Sequence, residues 1–464
     1  MSAQKNGRPL IPTRRDKLVL IAILVLAAML RLVGLPQRGE WDDDQGTEML
    51  AMLLWVRDGQ VPLLGPVSST VTVHHGVGFY WILAPAAFLT DAHPVGAVLT
   101  LAIVGIAGIA AAWWLGATVG GPLAGHIAAL LMAVSPSAIN ASTYVWNPNI
   151  VAPGAALASA AAWHAWRTRR ARWWLPSALG VLLMLNGHLL AAIAVPSFVA
   201  LLVADVLRRE RSDCPRMLAP VLGAVAIVAA GYLTFLLYDL HSGFSQFRAM
   251  AQFLTQADDP GGPSMLARLR TIPRRVLAWP VSGFAEPVPL PGWAAAFITA
   301  LALICAPISG RGITRQFGFW TAVTTIWAVV ALSFIAPSLA TPFVGLPTDQ
   351  YHTWLDPILF ATIGTVGARL WTTGVAPVPK IAAVALVGSC IALSLASQPP
   401  LSSPDGGWPR AVQTAARIRS ITADHTTAVI GVEKSGAAIQ FPLRRQRSPI
   451  GEPSRAEFLV VTCD

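Results

Sequence analysis

Asp42, Asp43 and Asp44 stand in a row in the segment "EWDDDQGTEML", residues 40–50, just beyond an apolar run long enough to cross a membrane. Carboxylates are costly near hydrocarbon and mark function when they occur there. A carboxylate at the start of a helix stays ionised and can take a proton from a hydroxyl as that hydroxyl attacks. If the leaving group is a phosphate it departs as a stable anion. One base then suffices for an inverting displacement, unlike glycoside hydrolysis, which generally needs two carboxyl groups. The competing role is plain capping by Asp43 or Asp44 of the helix that follows. Capping uses one carboxylate and leaves two unexplained.

Other residues carry weaker signals. Arg248, in "FSQFRAMAQFL", could clamp a lipid phosphate or simply lie along the membrane surface. Tyr351 and His352 open an expected membrane helix with Asp356 one turn deeper, and either contact a donor or pack. Tyr80 and Trp81 suit an interfacial anchor or the flank of a lipid chain. His188, in "LNGHLL", is expected to pack. Two adjacent histidines, His74 and His75, make a poor metal-ligand pair at that spacing, so no zinc site is expected.

The elements that must position these residues follow from composition. The chain has 464 residues, 54% hydrophobic and only 12% charged, against about 25% charged in soluble domains. Apolar stretches of spanning length recur, as in a polytopic helical membrane protein. Hydropathy predicts about eleven spans: 18–35, 94–117, 122–140, 148–166, 173–188, 189–207, 217–238, 291–308, 316–336, 351–369 and 380–398. Leu18–Leu35 has spanning length and no small-residue cleavage site, so it is expected as the first span and not as a cleaved signal. Lys and Arg cluster in the tail 1–17, in "WRTRRAR" and in "LRRERSDCPR"; eleven spans put all three in the cytosol. The net charge of +10 therefore does not point to nucleic acid.

Three segments result: a cytosolic tail, 1–17; a membrane module, 18–398; and a small external unit, 399–464. The long external loops are 36–93 and 239–290, where function concentrates. In the first, Met49, Met52, Leu53 and Val56 form one stripe of a short helix that Gly59 ends. "VGFYWILAPAAFL" is too short to span and reads as re-entrant or interfacial. The tail unit combines a helical "WPRAVQTAARIRSI" with two strand-like runs, "TTAVIGVE" and "AEFLVVTC". About 60 residues is marginal alone, so it is expected to dock on the loops. Cys214, Cys305, Cys390 and Cys463 show neither a disulfide nor a metal-site spacing.

The order of motifs resembles the GT-C membrane glycosyltransferases, specifically the bacterial branch of glycosyltransferase family 39, with its protein O-mannosyltransferase-like and aminoarabinose-transferase-like enzymes. The resemblance runs over about residues 15–370. It rests on "DQG" (Asp44-Gln45-Gly46), "VPLLGPVSS" (61–69), "HHGVGFYWILAP" (74–85), "AVSPSAINASTYVWNPNIVAP" (133–153), "LLYDLHSGFSQFRA" (236–249) and "YHTWLDPILF" (351–360). It implies a GT-C fold of all-α type and a donor sugar carried on polyprenyl phosphate. It implies that Asp44 is the base, with Asp43 the runner-up. It implies donor or sugar contacts at His74, His75, Tyr80, Asn147, Asn149, Arg248, Tyr351 and His352. The sequence departs at Val77, where relatives commonly have Pro, and carries no acid in the second external loop around Trp146-Asn147-Pro148-Asn149.

The expected function is transfer of a sugar, hexose or pentose, from that lipid to an acceptor hydroxyl on the external face of the plasma or inner membrane. The acceptor is a glycan, lipid or protein; membrane lipid is the other partner. No cofactor and no divalent metal are expected. Two other classes fit the composition: a transporter or lipid flippase, or a non-catalytic assembly subunit of envelope glycan synthesis. Transporters place charges and broken helices near the midplane, whereas here the acids cluster in loops.

Overall fold

A computed structural model describes residues 12–68, 73–210, 214–255, 262–283, 289–341, 349–373, 376–431 and 436–462. Helices α1 (Arg14–Leu32), α2 (Asp43–Asp58), α3 (Gly78–Thr90), α4 (Pro94–Gly120), α5 (Pro122–Val134), α6 (Pro136–Asn140), α7 (Val151–Thr168), α8 (Trp174–Gly187) and α9 (Val195–Leu207) form the first half. Helices α10 (Cys214–Gly231), α11 (Leu233–His241), α12 (Ser245–Thr255), α13 (Met265–Ser282), α14 (Pro289–Ser309), α15 (Ile313–Ile335), α16 (Asp356–Thr372) and α17 (Pro377–Ala396) follow. The tail adds α18 (Gly407–Thr422), β1 (Thr427–Gly431), α19 (Gly436–Arg445) and β2 (Phe458–Thr462). The chain is an all-α, multi-pass membrane bundle with a small α/β unit at its end.

Among the described residues α4, α14, α15, α17 and the run Leu189–Leu207 are long and apolar enough to cross a membrane. The pair α10 and α11, bent by 55°, would make a sixth. The expected span 122–140 breaks at Ser135-Pro136. Proline has no N–H and its ring clashes with the preceding turn, and Ser135 caps the new helix at the Ala138 N–H. The carbonyls freed at the end of α5 are taken by Arg31, which donates to Ala133 O at 2.9 Å and Met132 O at 3.2 Å. The span expected at 351–369 starts only at Asp356, after two single turns, Asp349–Tyr351 and Thr353–Leu355. The Arg-rich stretch of loop 239–290 is the 18-residue helix α13, with Arg268 and Arg275 buried.

Small residues bring the central helices together, as interfaces in lipid require: a Cβ on Gly180 of α8 would sit 2.4 Å from the backbone of Ala158 in α7. One end of the bundle is basic. There Arg208 and Arg209 both pair with buried Asp205, and Arg209 donates to Arg169 O. The other end gathers α2, α3, the loop at 141–150, α13 and the tail unit. Strands β1 and β2 pair in parallel from Thr427↔Phe458 to Gly431↔Thr462, joined through α19 as parallel pairing demands. The unit docks as expected: Ala411, Ala438 and Phe441 share a core with Met49, Met52, Leu53 and Phe79. Cys390 is buried and Cys305 half-buried, both as free thiols; Cys463 and most of 1–17 lie outside the described residues.

Candidate functional site

The three aspartates have three different surroundings. Asp42, and not Asp43 or Asp44, is the N-cap of α2: its Oδ1 accepts the Asp44 N–H at 2.8 Å while Gln45 Oε1 accepts the Asp42 N–H, a reciprocal capping box. Asp43 turns toward the tail unit, where its Oδ1 accepts the Ala437 N–H at 2.7 Å. Asp44 lines a large cavity. Met49, Met52 and Leu53 form the buried stripe of α2, and Gly59 ends the helix in the left-handed conformation at φ 68°.

The segment after α2 folds back as a short antiparallel ladder. Gly65 N–H donates to His75 O and His75 N–H to Pro66 O, with Val67 bridged to His74. Its tip, 69–72, lies outside the described residues. Two distant side chains anchor its far strand. Gln246 Oε1 accepts the His74 N–H at 2.9 Å, and Asn186 Oδ1 accepts the Gly78 N–H at 2.7 Å. Gln246 is itself set by buried Asp239, whose Oδ1 accepts its N–H at 2.6 Å. A Cβ at Gly76 would lie 2.2 Å from the Asn186 carboxamide, so that approach needs glycine.

These constraints aim His75 into the cavity, whose volume is about 840 Å³. Its polar wall includes Asp44, Ser68, His75, Asn147, His188, Gln350 and Tyr351. Its apolar wall runs along the turn Leu189–Ala194 into the start of α9 at Pro196, and down α15 from Trp327 to Ile335. Trp327 ties the two, its indole N–H reaching Ile193 O at 2.7 Å. Phe334 is 58% exposed although it lines the cavity, so the apolar side opens onto the surface of the bundle. The His75 and His188 rings lie 5.1 Å apart and the His188 and Tyr351 rings 5.0 Å apart. Burial, with His74 beside it, pushes the His75 ring down to about 4, so it is neutral at pH 7. Its Nδ1 faces the Leu189 N–H at 3.3 Å.

The structure thus brings together Asp44, His75, Asn147 and Tyr351. His74 stays one residue outside, against Gln246. Asn149 faces a separate small chamber of about 50 Å³ shared with Arg31, Tyr144 and Asp356. Tyr80 is buried among α2 and α3 and hydrogen-bonds Glu48, whose carboxyl is pushed up to about 8, first by burial. Arg248 is exposed and absent from the cavity wall, since α12 turns Gln246 and Met250 inward. His352 is fully buried, its Nε2 2.9 Å from Asp349 Oδ1, and Arg275 holds the same carboxylate through Nε at 3.0 Å and Nη2 at 2.6 Å. Burial raises the Asp349 carboxyl, but the His352 hydrogen bond and the Arg275 charge outweigh it and hold it below the usual range.

Sequence reasoning missed His188, which joins the polar wall instead of merely packing. Its only signal was a polar residue at the break between two apolar runs. Gln350 and Ser68 carried no signal. Among the described residues no three His, Cys, Asp or Glu side chains converge as a metal site would require.

The fold is similar to that of solved GT-C membrane glycosyltransferases. ArnT from Cupriavidus metallidurans in the apo state superposes with a TM-score of 0.60 at 14% identity, covering 95% of this chain and 87% of that one. ArnT from the same organism bound to undecaprenyl phosphate gives 0.58 at 15% identity, covering 96% and 89%. The Archaeoglobus fulgidus oligosaccharyltransferase AglB, in complex with an inhibitory peptide and a dolichol-phosphate, gives 0.55 at 13% identity over 96% of this chain. The chain spans only 65% of the length of that enzyme. No protein-family model matches the sequence, and no curated protein matches it.

Proposed function

We propose that the protein transfers a sugar from a polyprenyl-phosphate carrier to an acceptor hydroxyl, with Asp44 as the general base. The observation that carries this reading is the two-sided cavity: one carboxylate and a histidine pair on the polar wall, and an apolar wall open to the bundle surface. A polyprenyl tail needs such a wall, and its phosphate needs hydrogen-bond donors close by. His75, His188, Asn147 and Tyr351 supply them. The donor's phosphodiester carries one negative charge, and the second develops on polyprenyl phosphate as the sugar leaves, so protonation of His75 is favoured most as the leaving group forms.

In the reaction the acceptor oxygen forms a bond to the anomeric carbon as its proton passes to Asp44. The bond from that carbon to the phosphate oxygen breaks, and polyprenyl phosphate leaves with the electron pair. Attack from the face opposite the phosphate inverts the anomeric centre. The site would work on the outer side of the membrane, where the loop-bearing end would then project. The leaving group carries its own stabilised charge, so no divalent metal is required and a chelator leaves turnover unchanged.

The test is mass spectrometry of lipid-linked sugars and surface glycans in cells with the wild-type gene, without it, and with Asp44→Asn. A single glycan lost in the last two, with its polyprenyl-phosphate sugar accumulating, supports the reading. Unchanged glycans and lipids in the deletion overturn it.

A further inference from the structure

The tail unit is held by the same helix that carries Asp44, and held at both ends. Asp43, in the first turn of α2, accepts the N–H of Ala437 in the first turn of α19. A carboxylate there satisfies an orphan helix donor and favours the positive end of α19. At the other end of α2, Arg57 donates to Arg444 O at 3.1 Å and Arg445 O at 3.0 Å, the last carbonyls of α19. The same guanidinium pairs with Asp91 at 2.6 Å. Helix α2 is therefore an external splint that caps α19 at both termini.

The contact between these caps is backbone on backbone. A Cβ at Gly46 would meet Ala437 O at 2.3 Å. Trp41, two residues before Asp43, donates its indole N–H to Ala438 O at 2.9 Å and packs on Trp408 and Phe441 with ring centroids 4.6 and 5.6 Å away. Asp44 sits between Asp43 and Gly46, so α19 fixes the residues flanking it while its own side chain faces the cavity. None of the tail residues lines that cavity among those described.

We propose that residues 436–445 are a positioning element for Asp44: α19, gripped by Asp43 and Arg57, sets where the carboxylate stands and so sets turnover, without taking part in carrier binding. The inference rests on the reading of Asp44 as the base. Asp43 is on this account a positioning residue that needs only a hydrogen-bond acceptor. Misplacement of a base by a fraction of an ångström costs rate and leaves ground-state binding nearly intact.

The experiment uses the full chain in lipid nanodiscs. It follows hydrogen–deuterium exchange over residues 42–50, affinity for undecaprenyl phosphate, and turnover on the donor identified by the glycan comparison above. Asp43→Ala should raise exchange in the first turn of α2 and lower kcat about tenfold, with undecaprenyl phosphate affinity within about threefold. Asp43→Asn, which keeps the acceptor oxygen, should restore both exchange and kcat to within about threefold of wild type. Arg57→Ala, acting from the far end of α19, should reproduce the Asp43→Ala pattern more weakly, and serves where Asp43→Ala does not fold. Unchanged exchange in both alanine variants overturns the coupling. Asp43→Asn as impaired as Asp43→Ala also overturns it, because Asp43 would then act through its charge. An active Asp44→Asn refutes the base instead, and the exchange data stand apart from that result.

Discussion

Two clusters at the loop-bearing end are made of the same side chains and do opposite things. In one, Asp44, His75 and His188 stand on the wall of a cavity of about 840 Å³. In the other, Asp349 and His352 are sealed beneath Arg275, with Asp349 4% and His352 0% exposed. Carboxylate and imidazole alone therefore do not define a site. A bidentate guanidinium neutralises the second cluster and spends its lone pairs, which makes it a brace for the turn that presents Gln350 and Tyr351. The first cluster lines open space, its two rings set by the Leu189 and Leu190 N–H groups at their Nδ1 atoms.

The contrast breaks most readily at Asp44. Asp44→Asn should lower kcat by about 10²–10⁴ while undecaprenyl phosphate still binds, because the carboxamide keeps the shape and cannot take the proton. If the two clusters were interchangeable, Asp349→Asn would do the same with the fold intact.

Removing the brace should cost stability first. Arg275→Met leaves a buried carboxylate without its cation and should destabilise by roughly 3–5 kcal/mol, read as the thermal midpoint in detergent. Arg275→Met with Asp349→Leu should recover much of that loss, since no charge is then stranded. A double variant as unstable as the sum of both singles would remove the ion pair from the account.

His188→Ala should sharpen the open side. It removes the ring between His75 and Tyr351, and should weaken undecaprenyl phosphate binding about tenfold with a smaller change in kcat, read by titration in nanodiscs. The corresponding His352→Ala should leave that affinity nearly unchanged.

The smallest effect is a matter of pH. Glu48 in α2 has its carboxyl pushed up to about 8 by burial. The unfolded carboxyl ionises near 4.5 while the folded one holds its proton, so stability falls as pH rises between those values. Glu48→Gln should thus raise the thermal midpoint modestly at pH 8 and leave it nearly unchanged at pH 4. Stabilisation at pH 4 and not at pH 8 would reverse the sign and the explanation with it.

What the sequence by itself determined is what depends on neighbours within a few turns. The long apolar runs became α4, α14, α15 and α17; the stripe from Met49 to Leu53 became the buried face of α2, closed at Gly59; the two β-like runs became β1 and β2. Hydropathy, period and a left-handed glycine are local properties and can be read in one dimension. The proposal of Asp44 as the base drew only on the company of "DQG" with the later motifs.

Tertiary structure alone decided how three identical carboxylates divide their work. Asp43 is committed by an amide 394 residues away, and His75 is aimed by a ladder that Gln246 anchors from 172 residues beyond its neighbour His74. Arg275 withdraws His352 from the cavity by holding Asp349, 74 residues on. A hydrogen bond is specified by where its partner arrives in space, and no spacing along the chain encodes that arrival. The same holds for His188, whose apolar surroundings in sequence concealed a ring that the bend after α8 turns toward His75.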